Sequence, residues 1–360
     1  MKITFVLPGF SARPVGGYAV VYKYANELSR RGHSVTIVHL LITPPPGIKW
    51  PKSWLWRTWF LLTTNQGRPL WFDLDEAVST TLKRKLRSHS VPRADAIFAT
   101  ACNTALPVAQ LPPDKGAKFY LMQHYENWDR SDAEVATTWR LPMHKVVIAR
   151  WLEEIGVALG EVDRLTYIPN GIDAQEFPLL VVPEKRASNT IGLLAHDAEW
   201  KGTADGVAAI ALVREHFPRT TLTLFGANPR PGWLPGWANY IENPSHSRLS
   251  ELYNSCAIFL HPSWTEGFPL PPAEAMLSGC ALVAAANRGV REYAIEGKTA
   301  LLAPICDPEA LAKRVRSLLL DPKLRCRLAW SGHNAMASFT WDRAADAMEA
   351  MLTEHVASSV

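Results

Sequence analysis

No run of about eighteen apolar residues occurs anywhere in this chain of 360, so nothing in it reads as a membrane-spanning helix. Cysteine is sparse and scattered. The five (Cys102, Cys256, Cys280, Cys306 and Cys326) never form Cys-x-x-Cys, which speaks against a disulfide framework or a zinc site and leaves them as core filler. Gly-x-Gly-x-x-Gly is missing, which disfavours a nicotinamide cofactor. The sole Asp-x-Asp, Asp73 to Asp75, stands far in sequence from the acidic pair described below, and no metal site is expected. There is no internal repeat and no low-complexity tract. The opening Met1–Phe10 is too short and too soon broken by Pro8-Gly9 for a signal peptide, so it reads as a strand of a cytoplasmic protein.

What is present suffices for two ordinary cores: 48% of the residues are hydrophobic and 20% charged, and the length suggests two domains. The net charge of +4 conceals an asymmetry. Residues 1–168 carry 21 Lys and Arg against 14 Asp and Glu, whereas residues 169–360 carry 17 against 20. The basic half is the one suited to an anionic surface or acceptor. No motif for reading nucleic acid accompanies it, and nucleic acid is not an expected partner.

The most informative stretch is Cys256–Glu292. An apolar run, Ala257–Leu260, enters a loop holding Glu266 and Gly267. Pro271 and Pro272 then open a short helix, where a missing N–H costs little, Gly279 closes it, and a second apolar run follows at Ala281–Ala285. This is a strand-loop-helix-strand unit of a parallel sheet, with its loop at the carboxyl edge where such sheets bind ligands. Glu266 and Glu274, the latter placed in the first helical turn, can both meet a ligand over the helix N-terminus. The N–H groups there suit phosphate, and the carboxylates suit sugar or ribose hydroxyls. The plain alternative is a solvated Glu266 and a Glu274 that merely complements the helix dipole.

Glu266-Gly267-Phe268-Pro269-Leu270-Pro271-Pro272-Ala273-Glu274 resembles the Glu-x7-Glu signature of the retaining GT-B glycosyltransferases of family 4. The resemblance is strong from Tyr167 onward and looser before. It implies an α/β fold of the GT-B type, two doubly wound Rossmann-like domains facing across a cleft. In that family the first Glu meets the donor sugar and the second the nucleotide ribose, roles that pass to Glu266 and Glu274, with Gly267, Phe268 and Leu270 in the same donor-binding turn. A Lys and an Arg hold the diphosphate. Lys201, in His196-Asp197-Ala198-Glu199-Trp200-Lys201-Gly202, matches the Lys, and His196 stands about where the Arg belongs. A plain surface lysine is the alternative. The relatives also place a His near the reacting sugar carbon, which points to His124 in Gln123-His124-Tyr125-Glu126, with Glu126 as the acceptor-binding base. An ordinary hydrogen-bonded His at a strand end is the other reading.

Before that point the chain alternates. Lys2–Leu7 reads as strand, Val20–Arg31 as a helix stopping at Gly32, and residues 34–41 as strand, with Gly16 and Gly17 in the loop where a backbone can approach a phosphate or a sugar closely. Residues 48–72 interleave Trp50, Trp54, Trp56, Trp59, Phe60, Trp71 and Phe72 with Lys49, Lys52, Arg57 and Arg68. That mixture fits a segment lying on acidic lipid, or rings packed into the first core or lining an acceptor cleft. Lys83–Arg87 reads as a basic helical face. Strands are expected over Ala94–Thr100 and Lys118–Gln123, and a hinge at Tyr167-Ile168-Pro169-Asn170-Gly171. After it come a strand at Thr190–Leu194, a helix from Gly202, a strand ending at Gly226, a helix about Leu249–Tyr253, terminal helices at Pro308–Leu320 and 322–337, and a last helix from Phe339.

These signals divide the chain into an acceptor-binding domain (1–168), a nucleotide-sugar-binding domain (169–338) and a C-terminal helix (339–360) that in GT-B proteins crosses back. The function so implied is a retaining, metal-independent transfer of a hexosyl or deoxyhexosyl group from a nucleoside diphosphate sugar, itself the substrate, so that no cofactor is needed. The acceptor is a saccharide or a lipid-linked saccharide. The resemblance reaches bacterial transferases that build surface polysaccharides, some using deoxythymidine-linked rhamnose. Peripheral contact with acidic membrane at the inner face would follow from the aromatic and basic stretch. A non-catalytic nucleotide-sugar-binding protein of the same fold, or an epimerase or phosphorylase built on it, are the alternatives.

Overall fold

The computed structural model describes residues 1–40 and 67–357, and these form two compact units. The first comprises Met1–Asn170 with Trp341–Val360, the second Gly171–Thr340.

The first unit is a seven-stranded parallel sheet. Its strands are β1 (Lys2–Leu7), β2 (Ser34–Leu40), β3 (Ser79–Lys83), β4 (Ala96–Ala99), β5 (Ala117–Met122), β6 (His144–Val147) and β7 (Leu165–Tyr167), in the order β3-β2-β1-β4-β5-β6-β7. Connecting them are α1 (Gly16–Arg30), α2 (Cys102–Ala109), α3 (Asp132–Trp139) and α4 (Arg150–Ala158). The second unit repeats the plan with β8 (Thr190–Leu194), β9 (Thr221–Gly226), β10 (Ala238–Glu242), β11 (Ile258–His261), β12 (Ala281–Ala285) and β13 (Ala300–Ala303), in the order β10-β9-β8-β11-β12-β13. Its helices are α5 (Thr203–His216), α6 (His246–Ser255), α7 (Leu270–Leu277), α8 (Pro308–Leu320) and α9 (Pro322–Met336). Central parallel strands are covered on both faces, so they read as unbroken apolar runs rather than alternating ones, and every residue of β4 and β12 is buried.

In each unit the chain starts at a central strand, winds one way, then crosses back and winds the other. The strand order therefore reverses between β1 and β4 in the first sheet and between β8 and β11 in the second. Loops leaving the carboxyl ends of such a strand pair diverge to opposite faces and leave a crevice. That places the loop after β8, which carries His196 and Lys201, beside the loop after β11, which carries Glu266.

The last helix, α10 (Trp341–Ala357), belongs to the first unit. Trp341 is buried with its ring edge-on to Tyr24 of α1, at 5.4 Å between centroids. Arg31, just past the end of α1, reaches Asp342 at 3.3 Å and Asp346 at 3.1 Å, and His33 lies 2.9 Å from Glu349. An apolar contact flanked by ion pairs thus fixes this helix against α1.

Two expectations change. The helix read from Val20 begins at Gly16, so the glycine pair opens α1 instead of ending the loop before it. Lys83–Arg87 is not helical: Ser79-Thr80-Thr81 supplies β-branched residues to β3, which pairs in parallel with β2, and Lys83 is its last residue. Of the aromatic stretch, residues 48–66 lie outside the described residues. Phe72 is buried, and Trp71 donates its indole N–H to Ser11 O at 2.9 Å with its ring 5.6 Å from Tyr22, so these two rings pack on α1 as core residues do.

Candidate active site

In the second unit the loops after β8 and β11 are zipped together. Trp264 N–H donates to Trp200 O at 2.7 Å and the Trp264 indole N–H to Asp205 Oδ2 at 2.7 Å. Gly202, with φ +62, lies so close to Pro262 that a Cβ would sit 2.4 Å from its carbonyl oxygen, so only glycine lets the two loops close. The closure delivers Lys201 Nζ to both oxygens of Glu266, at 2.8 and 2.9 Å. Ser263 Oγ donates to Oε1 at 2.8 Å. Burial by itself would push the Glu266 carboxyl up, yet Lys201, then His261, then the hydrogen bonds from Lys201 and Ser263 outweigh it and hold the group below the usual carboxylate range. Glu266 is therefore an anion, only 9% exposed, whose charge is balanced by a single lysine.

His261 lies beneath this pair. It is buried, its Nε2 is 4.0 Å from Glu266 Oε1 and without a hydrogen-bond partner among the described residues, and burial drives its pKa down to about 4. Glu266 is also braced from the other side. Asn287 donates to Ser263 O at 2.9 Å, and a Cβ on Gly289 would meet Glu266 O and Gly267 O at 2.5 and 2.6 Å.

His196 accepts a hydrogen bond on Nδ1 from Ala198 N–H at 3.0 Å, so the neutral ring carries its proton on Nε2. Partial desolvation first, and Lys201 second, lower its pKa, which makes this ring a neutral donor and no substitute for the permanent charge of an arginine.

Glu274 is displaced from its expected place. The helix begins at Leu270, which puts Glu274 at its fifth residue, beyond the first turn. It accepts a hydrogen bond from the Tyr253 hydroxyl at 2.9 Å. The same turn is poorer in donors than expected, because Pro269, Pro271 and Pro272 have no N–H. The Phe268 ring is packed against Tyr293 and Phe339, so its backbone is what it can offer a ligand.

In the first unit, Gly16 and Gly17 form the uncapped start of α1, and Gly17 O accepts from Gln123 Nε2 at 3.0 Å. The glycine turn and the segment after β5 are thus neighbours. His124 packs its ring against Trp128 and Trp151 at 5.1 and 5.5 Å. Glu126 Oε2 accepts from Cys102 N–H at the start of α2 at 2.9 Å. Burial, opposed by that hydrogen bond, raises the Glu126 carboxyl to about 7, where it exchanges protons near neutrality.

Ser263, His261, Asn287 and Tyr253 were not foreseen. Ser263, in the loop that carries Glu266, and His261, the last residue of the strand before it, were within reach of a closer reading; nothing in sequence links Tyr253 to Glu274, 21 residues away.

Two doubly wound parallel-sheet units in one chain define the GT-B class. The architecture matches sucrose-phosphate synthase from Thermosynechococcus elongatus, with a TM-score of 0.74 at 16% identity over 99% of this chain and 100% of that one. It also matches Anabaena HepE, solved in complex with UDP and glucose, with a TM-score of 0.73 at 16% identity over 98% and 100%. Residues 182–334 match the family model described as glycosyl transferases group 1. A Mycobacterium tuberculosis glycogen synthase is 30% identical over 205 residues, 54% of this chain and 49% of that protein. A D-inositol 3-phosphate glycosyltransferase of Xylanimonas cellulosilytica is 38% identical over 215 residues, 52% and 51%. The chain spans about half the length of the curated relatives it matches. Among the described residues, no helix is long and apolar enough to cross a membrane.

Proposed function

We propose that the protein is a retaining glycosyltransferase of the family 4 kind, moving a hexosyl or deoxyhexosyl group from a nucleoside diphosphate to a saccharide or lipid-linked saccharide. The observation that carries this reading is the Lys201–Glu266 pair at the second sheet's switch point, a cation and a carboxylate already in contact within the segment that matches the family model. Lys201 exchanges Glu266 for the donor's diphosphate, which frees the carboxylate for the sugar hydroxyls. His196 Nε2–H and the backbone N–H groups of Gly267, Phe268 and Leu270 add neutral donors to the departing phosphate, and Glu274 meets the nucleotide ribose. The bond from the anomeric carbon to the phosphate oxygen breaks while the acceptor oxygen bonds on the same face, and the acceptor's proton passes to the departing phosphate. In this scheme Lys201 carries the leaving-group charge without a metal. In the first unit, the family resemblance assigns Gly16 and Gly17 to donor binding, His124 to the reacting carbon and Glu126 to the acceptor hydroxyl.

His196 favours a second reading, a non-catalytic nucleotide-sugar-binding protein, because a neutral ring where the family has an arginine weakens leaving-group stabilisation more than binding. One experiment separates them. The full chain is incubated with a panel of nucleoside diphosphate sugars and saccharide acceptors, free or lipid-linked in acidic or neutral vesicles, and both nucleoside diphosphate and product are followed. Turnover with retained anomeric configuration supports the transferase; binding with no product from any acceptor supports the alternative. Transfer favoured on acidic vesicles and weakened by salt would add the peripheral membrane contact suggested by the basic first half.

A further inference from the structure

α6 and α7 are joined through one buried hydroxyl. The Tyr253 ring, near the carboxyl end of α6, lies among Phe177, Phe225 and Phe259 at 5.7, 5.9 and 5.6 Å, and its oxygen donates to Glu274 Oε2 at 2.9 Å. Burial first, then the Glu274 charge, raises the phenol well above its ordinary pKa, so it remains a donor across the working pH range. Phenylalanine would fill the same aromatic pocket. What the hydroxyl adds is the hydrogen bond.

The backbone beneath is clamped separately. Arg186 is a buried guanidinium that donates to Tyr253 O at 3.0 Å and Cys256 O at 2.8 Å where α6 ends, and to Ser278 O where α7 ends. A cation on the last carbonyls of two helices adds a charged donor where the helix ends leave acceptor capacity and complements both dipoles. With both helix ends so fixed, what varies at Glu274 is the rotation of its side chain, and Tyr253 restricts that rotation by holding one carboxylate oxygen.

We infer that Tyr253 is a positioning residue that sets how strongly the site reads the hydroxyls of the nucleotide's pentose. The inference rests on the proposed role of Glu274 as the ribose ligand. A carboxylate oriented before binding loses less freedom when a ligand arrives, an effect on the order of threefold to tenfold in affinity for one side chain.

The test is calorimetric titration of the full chain with UDP, ADP, GDP and dTDP and with the 2′,3′-dideoxy counterpart of each. In the unmodified protein the hydroxylated nucleotide that binds should bind more tightly than its dideoxy form. Tyr253→Phe should narrow that gap by roughly threefold to tenfold through the hydroxylated ligand alone, leaving dideoxy affinity unchanged. In a Glu274→Ala background the same change should have no further effect, since Tyr253 acts through the carboxylate. An unaltered gap, a parallel loss for both ligands, or a Tyr253→Phe chain that does not fold would each assign the hydroxyl to the core and overturn the inference. Absence of any gap in the unmodified protein would instead remove Glu274 from the pentose site, and the inference would fall with that reading.

Discussion

Lys201 and Glu266 neutralise each other in a setting where neither is fully solvated, and this governs what their substitution can show. Removing the lysine leaves a carboxylate that is 9% exposed with, among the described residues, only Ser263 Oγ within hydrogen-bond distance, and a half-satisfied buried charge is costly. Lys201→Ala should therefore destabilise the protein by about 1–3 kcal/mol as well as abolish turnover. Lys201→Ala combined with Glu266→Gln should recover much of the stability, because the amide carries no charge, and none of the turnover. Thermal melts beside a turnover assay separate the two effects. A double variant as unstable as the single one, or a single variant that still turns over, would remove the pair from the role assigned to it.

The elements that hold this pair are loops braced by backbone contact. Gly289 has ordinary helical dihedrals, φ −70 and ψ −39, so alanine is conformationally acceptable there. The obstacle is the approach of Glu266 O and Gly267 O, which a Cβ would meet at 2.5 and 2.6 Å. Backbone oxygens cannot swing aside as a flexible side chain can, so Gly289→Ala must move the whole Glu266 turn. We expect it to lower turnover at least tenfold at a stability cost of about 1–3 kcal/mol, as overpacking commonly does. Gly232→Ala, where a Cβ meets nothing within 4 Å, is the control and should leave both unchanged. Equal behaviour of the two variants in kinetics and melting would show that the 287–290 turn does not hold Glu266.

For the molecule as a whole, buried imidazoles set the response to acid. His39 and His144 in the first unit and His261 in the second are each depressed to about 4, chiefly by burial. Neighbouring groups add to this, the His355 ring, Lys145 and Arg164 at His144 and Lys201 at His261, whereas carbonyls oppose it at His39 and Glu266 opposes it at His261. Unfolded histidine titrates near 6.5, so between about pH 6.5 and 4 the unfolded chain binds protons that the folded chain refuses, and stability is lost as pH falls. Glu126 acts in the opposite sense. Its folded value of about 7 exceeds its ordinary 4.5, so the folded state gains a proton first. Three histidines outweigh one glutamate, and the urea midpoint should fall steadily from pH 6.5 to 4.5. A midpoint that holds or rises over that range would show that these histidines are not the neutral, buried groups described.

The two-fold repetition of strand, loop and helix was legible from the sequence because parallel strands and their covering helices are written in local chemistry. The apolar runs at Lys2–Leu7, Thr190–Leu194 and Ala281–Ala285 fall on strands, and the proline and glycine signals bracket α7. Glu266, Glu274 and Lys201 could be singled out because each sits in a short string with its own spacing. β7 and β10 stayed hidden because Leu165–Tyr167 is only three residues long and Ala238–Glu242 mixes Asn239 and Glu242 into its five, so neither shows an apolar run. The sequence also could not reveal that Lys201 and Glu266 share two hydrogen bonds, that His261 lies beneath them, or that Tyr253 holds Glu274. The Lys201–Glu266 contact exists because parallel pairing of β8 with β11 brings together the ends of strands more than sixty residues apart, and the Tyr253 contact because α6 and α7 pack together; both are properties of the packed unit.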